Sequence, residues 1–201
     1  MAAKRSNSDN AGTKKAILDA TEKIMCDEGY AAVSSRRVAE VAGLKSQLVH
    51  YHFGTMDNLF LALFRRAEED FLARQVKSLT STTPLRSLWE QSLKQSDTRL
   101  TIEFIALSIH SEAIGNELAR ANERTRKIHT MVAAGALDRA GTAAEAPPPE
   151  VLAFLIAAVS RTLVTEEALG ATDVHPAVYA FVDAMLSRLE GDIGKHAPSL
   201  D

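Results

Sequence analysis

Ser34–Leu59 reads SSRRVAEVAGLKSQLVHYHFGTMDNL, and the remainder of the chain can be understood from this stretch outward. Val33 and Val38 flank Ser34 at the spacing of a hydrophobic staple. In that arrangement the serine hydroxyl accepts from an otherwise orphan backbone N–H, and the two apolar side chains fix the chain's angle of entry into a helix. Val38, Ala39 and Ala42 then share one helical face, and Gly43 stands where a left-handed residue would end it. Leu44 returns the chain to the core, and Lys45-Ser46-Gln47 opens a second short helix whose apolar contacts are Leu48, Val49 and Phe53. Two short helices about a glycine-containing turn form a helix-turn-helix, whose second helix lies in the DNA major groove.

The order of residues here resembles the DNA-binding segment of the TetR family of transcriptional regulators. Arg36-Arg37-Val38-Ala39, Ala42-Gly43-Leu44, His50-Tyr51-His52-Phe53 and Thr55-Met56-Asp57-Asn58-Leu59-Phe60 carry the resemblance, which spans roughly residues 13–66. Beyond them the chain is similar only as an all-helical pattern of suitable length. The aromatic cluster and the Thr-capped helix after it separate this stretch from the many helical hairpins that share the bare spacing.

What the resemblance implies is an all-α fold. A disordered arm (1–12) precedes an N-terminal three-helix head (13–55), then a helical bundle (56–190) for effector binding and dimerisation, then a frayed tail (191–201). It also implies a homodimeric, ligand-responsive repressor that acts on a palindromic operator in double-stranded DNA. An activator, or a helical protein-interaction module with the same head, is the alternative reading.

Composition agrees with a helical globular chain. Of 201 residues, 46% are hydrophobic and 24% charged, with aromatics at only 5%, in a chain long enough to bury a sizeable core. The net charge of −3 conceals an asymmetry: residues 1–56 carry eight Lys/Arg against six Asp/Glu, and the remainder 15 against 20. The excess positive charge lies at the end that would meet DNA. The single cysteine, Cys26, cannot form an internal disulfide, which is compatible with a reducing cytoplasm. No run is long and apolar enough to cross a membrane, and the polar start MAAKRSNSDNAG is unlike a signal peptide.

In chain order, Ile17, Ala20, Ile24 and Met25 mark a bracing helix over Thr13–Glu28. Lys14 and Lys15 on it are placed to approach a DNA backbone. Thr55 caps a long helix from Met56 to about Leu79 whose stripe runs Leu59, Leu63, Ala67, Phe71 and on toward Arg74. Pro84 suits a first helical turn, and the period continues to about Gln95. Further helices are expected over Thr101–Ala113, over Glu117–Ala140 after a break at Gly115-Asn116, over Glu150–Leu169 and over Val174–Glu190. Gly141–Pro149 is a stiff, proline-rich loop.

Recognition helices meet base edges with their N-terminal residues. Gln47 is therefore placed to contact adenine, Ser46 sits beside it, and Lys45 can reach guanine or a phosphate. By resemblance, Ser35 and Arg36 contact the backbone or an adjacent base, His50 and Tyr51 match positions that hold phosphates, and His52 belongs to the same aromatic cluster. Two departures from the family pattern stand out. Lys45 replaces the usual opening serine, which shifts the cap to Ser46, and Met56 replaces a phosphate-holding lysine. The second change removes roughly one counterion per subunit from the salt dependence of binding.

The resemblance also implies an effector pocket among the middle helices, for which Trp89, Phe104, Leu107, His110, Met131 and Arg161 are the candidate lining. Arg161 lies on an apolar stripe, so it needs either an ion-pair partner, with Glu166 and Glu167 close by, or an acidic effector. Leu152, Leu155, Val159, Leu163, Val178, Phe181 and Met185 on the last two helices are the candidate dimer interface, able to form a four-helix bundle with a second copy. No cofactor or metal is expected, because His50, His52, His110 and His129 lack partners at ligand spacing. No nucleophile–base pair, paired carboxylates or phosphate-binding glycine loop points to an enzyme.

Overall fold

The computed structural model describes residues 2–144 and 146–190, with side chains for 10–94, 98–144 and 146–190. Among these residues there is no strand, and the elements are α1 (Ala2–Glu28), a 3-10 turn (Tyr30–Ala32), α2 (Ser35–Ala42), α3 (Ser46–Phe53), α4 (Met56–Leu79), α5 (Pro84–Ser92), α6 (Gln95–Ser108), α7 (Glu112–Ala140), α8 (Pro149–Leu169) and α9 (His175–Glu190). The tail expected from 191 onward lies outside the described residues.

Several helix boundaries differ from those expected of the sequence. α1 begins at Ala2 rather than Thr13, so the segment read as a disordered arm continues the helix. α5 stops at Ser92, and α6 starts at Gln95 and ends at Ser108 instead of spanning Thr101–Ala113. α7 starts at Glu112 and runs through Gly115 without interruption. A Cβ on Gly115 would make only ordinary contact with the Ser108 carbonyl oxygen, at 3.5 Å, and a single glycine costs a helix about 1 kcal/mol, too little to break one of this length.

The chain divides into two compact units. One comprises the residues up to Asp70 together with Arg99–Ala121, the other Phe71–Thr98 together with the residues from Asn122 onward. The first therefore takes in the start of α4 and most of α6, and does not end at residue 55. Its first core gathers Ile17, Ala20 and Ile24 of α1, Val38 and Ala39 of α2, Val49 of α3 and Leu59 of α4. Its second core joins Met25, Phe60, Leu63 and Phe64 to Leu100, Phe104, Leu107 and Ile114, with the Phe64 and Phe104 rings edge to face at 5.0 Å. Arg66 of α4 binds both Asp19 (2.6 Å) and Glu22 (2.7 Å) of α1, which ties α4 to the bracing helix.

In the second unit, Leu85, Leu88 and Trp89 of α5 pack with Val132, Ala133, Ala136 and Leu137 of α7, Leu152, Ile156 and Leu163 of α8, and Val182, Leu186 and Leu189 of α9. α5 is short, and its opening N–H groups are satisfied from far away in sequence. The Glu190 carboxylate accepts from the backbone N–H groups of Leu85 and Arg86, while the Arg86 side chain donates to Asp183 and Ser187. Burial pushes the Glu190 carboxyl up from its ordinary range, against the opposing pull of those two N–H groups.

Candidate nucleic-acid interface

The head forms because its short helices are bounded by capping residues and glycines close in sequence, the start of α3 excepted. Ser34 is extended and its hydroxyl accepts from the Arg37 N–H at 3.2 Å, while Val33 and Val38 meet in the same core as the staple requires. Gly43 takes the left-handed conformation (φ 67°, ψ 32°) that an L-side chain disfavours, and the Leu44 N–H then reaches back to the Ala39 carbonyl at 2.9 Å. Thr55 caps α4 by accepting from the Asn58 N–H at 3.1 Å. Lys45 occupies the N-cap position of α3 without a side-chain cap, and Ser46 is the first helical residue. The cap therefore does not shift to Ser46.

α3 has two distinct faces. Val49 is buried and Phe53, one turn on, packs into the same core, each buried aliphatic or aromatic side chain contributing about 1.5–3 kcal/mol. Gln47, His50 and Tyr51, at helical spacing, all point outward, and Tyr51 is 77% exposed. Lys45 is exposed beside them, and Ser46 is half-buried. His50 Nδ1 lies 3.2 Å from the Gly54 carbonyl oxygen. Since a carbonyl only accepts, the proton sits on Nδ1 and Nε2 is directed elsewhere. His52 is half-buried, its ring edge to face with Tyr51 at 5.0 Å, so it supports that side chain from behind.

The two arginines of α2 have different roles. Arg37 is held by Glu28 at 2.7 Å and Glu40 at 3.0 Å, contacts that shift its guanidinium further toward the charged form and bind α2 to α1. Arg36 next to it is exposed and has no ion pair among the described residues, and Ser35 is half-buried. On α1, Lys15 pairs with Asp19 at 2.6 Å whereas Lys14 is exposed. Met56 is half-buried against both cores of its unit, so the position that would carry an outward cation carries core packing instead.

Residues 17–63 match the family model for bacterial regulatory proteins of the tetR family. The head is a TetR-family head. The regulator BetI of Rhizobium meliloti is 26% identical over 111 residues, which is 53% of this chain and 55% of that relative. The repressor AcnR of Corynebacterium glutamicum is 34% identical over 53 residues, 26% of this chain and 28% of that relative. The chain thus aligns with about half or less of the length of these curated relatives. A TetR transcription regulator from Haloarcula marismortui has the same fold with a TM-score of 0.73, at 19% identity over 89% of this chain and 98% of that one. The TetR-like architecture therefore extends well past the head.

The six residues considered for an effector pocket are divided equally between the two units. Phe104 and Leu107 are buried in the second core of the first unit, and Trp89 in the core of the other. His110 is exposed and Met131 is 64% exposed. Arg161 is exposed as well, so no buried charge needs a partner there. Of the proposed dimer residues, Leu152 and Leu163 belong to the chain's own core, because α8 is apolar nearly all round and its 152–156–163 line turns inward. Leu155 (43%) and Phe181 (69%) are exposed, as is Phe154 (61%), which the sequence reading passed over; Val159, Val178 and Met185 are half-buried. Cys26 is half-buried and its thiol is pushed up, chiefly by burial, as for an inert packed cysteine.

Proposed function

We propose that the chain is a sequence-specific, DNA-binding transcriptional regulator, a ligand-responsive homodimer acting as a repressor on a palindromic operator. The observation that carries this reading is the division of α3. One face locks into a core closed by α1, α2 and α4, while Gln47, His50 and Tyr51 are presented outward beside Lys45 and Arg36. Gln47, at the second position of α3, is placed to read a base edge; Arg36, Lys45, His50 and Tyr51 hold phosphates on either side. Ser35 and Ser46 lie at the openings of their helices, where backbone N–H groups favour an anion, and His52 backs Tyr51.

One head reads too few base pairs for a specific site, so the reading calls for a second copy. The outward apolar residues Phe154 and Leu155 on α8 and Phe181 on α9 suit that pairing, since a self-complementary face across a two-fold axis buries them on both subunits. Repression is supported by the likeness to AcnR, which is named a repressor. An effector would act by binding the DNA-incompetent state more tightly than the competent one.

Selection of bound fragments from random DNA, at stated salt, tests this reading. The expected product is a palindrome whose half-sites lie about one helical turn, or a multiple, apart. Fragments without a common sequence would overturn it in favour of a helical interaction module carrying the same head.

A further inference from the structure

Three side chains of the second unit, Gln75 and His129 buried and Gln91 half-buried, hold buried polar atoms without hydrogen-bond partners. Gln75 on α4 is 1% exposed, and neither its Oε1 nor its Nε2 makes a hydrogen bond. Oε1 of Gln91 on α5 and Nε2 of His129 on α7, itself 4% exposed, are also buried and unpartnered. Leaving such groups unsatisfied is a direct cost to the folded state, and native interiors seldom keep several close together.

Neighbouring contacts connect the three. Ser78 Oγ and Ser87 Oγ meet at 3.0 Å across the turn that joins α4 to α5. One helical turn away from that contact, along each helix, stand Gln75 and Gln91. Phe71, one turn beyond Gln75, places its ring 6.4 Å from the His129 ring. One turn past His129, Val132 and Ala133 enter the core that holds Leu88 and Trp89. These contacts link the two amides and the imidazole through α4, α5 and α7.

The charge of this region determines what it accepts. Gln75, Gln91 and His129 carry no fixed charge, and Arg74, whose guanidinium lies 6.0 Å from the Phe71 ring, is only half-buried, so a charged ligand would lose more to desolvation than it gains. Burial alone moves the His129 imidazole down to about 4, leaving it neutral near pH 7. Gln75 offers a donor and an acceptor, Gln91 an acceptor, and the walls are apolar.

We propose that Gln75, Gln91 and His129 form the recognition set of an effector site, and that its ligand is an uncharged, mostly apolar molecule carrying an amide-like donor and acceptor. This deepens the ligand-responsive reading given above and rests on it.

Binding is followed by isothermal titration calorimetry, which needs no reporter group at the site. The full chain, free of DNA, is titrated with N-octylacetamide, and separately with the size-matched anion decanoate and cation octyltrimethylammonium. A saturable change with the amide, about tenfold or more weaker with both ions, is expected. Gln75→Met is expected to raise the melting temperature of the free protein, because it removes an orphan amide, and to weaken the amide probe about tenfold. His129→Phe is expected to do the same.

The proposal is overturned by the absence of a saturable response, by ions that bind as tightly, by variants that bind the probe as wild type does, or by variants that melt lower. The last result would show that interior water already satisfies these groups. Operator release is measured separately. If the amide binds and the DNA stays bound, the site stands and the ligand-responsive reading falls; if only a charged compound binds and releases DNA, the reverse holds.

Discussion

The backbone N–H of Tyr30 donates to the Glu103 carboxylate at 2.7 Å, and this bond fastens α6 to the turn that leads into α2. The two residues are 73 apart in sequence. The Tyr30 N–H opens a 3-10 turn and has no local acceptor, so the carboxylate supplies the charge-assisted partner that the turn lacks.

Glu103→Ala should therefore destabilise the protein by about 1–3 kcal/mol, the usual cost of orphaning a partly buried donor. Urea unfolding followed by circular dichroism measures it, and Glu103→Gln should recover part of the loss. If Glu103→Ala is neutral, water replaces the carboxylate at no cost and the bond contributes nothing to the head.

Gln47 and Tyr51 share a face of α3 and should fail in different ways. Gln47→Ala should relax preference at one base pair per half-site by about 1–3 kcal/mol, leaving the others intact. Tyr51→Phe should weaken binding to every sequence alike, by about 1.5–3 kcal/mol for a lost bond to a charged phosphate. Binding profiles across a randomised operator separate the two, and an unchanged profile for Gln47→Ala would mean that α3 lies differently in the groove.

Phe181 is 69% exposed whereas Leu152 is fully buried. A charge at the first position, as in Phe181→Glu, should give folded monomers by sedimentation. The same change at Leu152 should unfold the chain, since it places a carboxylate in the core. A dimer that survives Phe181→Glu would require another interface.

His129 makes stability depend on pH in a definite direction. Its folded value of about 4 lies below the ordinary 6.5, so between these limits the unfolded chain binds a proton that the folded chain does not. The stability it contributes is complete above pH 6.5 and is lost as pH falls toward 4, amounting to about 3 kcal/mol. Thermal melts between pH 7 and 4 should show that slope in wild type and a shallower one in His129→Phe.

The head was legible because its signals are local. Staple, cap, glycine stop and aromatic cluster each act within a few residues, and Ser34, Gly43 and Thr55 do in the structure what their neighbours in sequence require. The second unit was less legible because its helices carry apolar residues on more than one face, and periodicity cannot say which face turns inward. Leu152 and Leu163 went to the core while Leu155 stayed outside for that reason. Gly115 suggested a break, yet α7 runs through it, because a lone glycine costs only about 1 kcal/mol and tertiary packing outweighs it. Gln75 could have been found: the spacing 59–63–67–71 leads to 75, not to Arg74, and a glutamine on a core stripe is a signal in itself.

The bond from Glu190 to the start of α5 spans 105 residues. During synthesis, α5 emerges long before the carboxylate that closes it, and nine residues are too few to persist as a helix in water. Leu85, Leu88 and Trp89 therefore stay at least partly uncovered until α7, α8 and α9 have left the ribosome in turn. The nascent chain is thus most exposed to aggregation, and to chaperones, midway through its production, with the DNA-binding head already made.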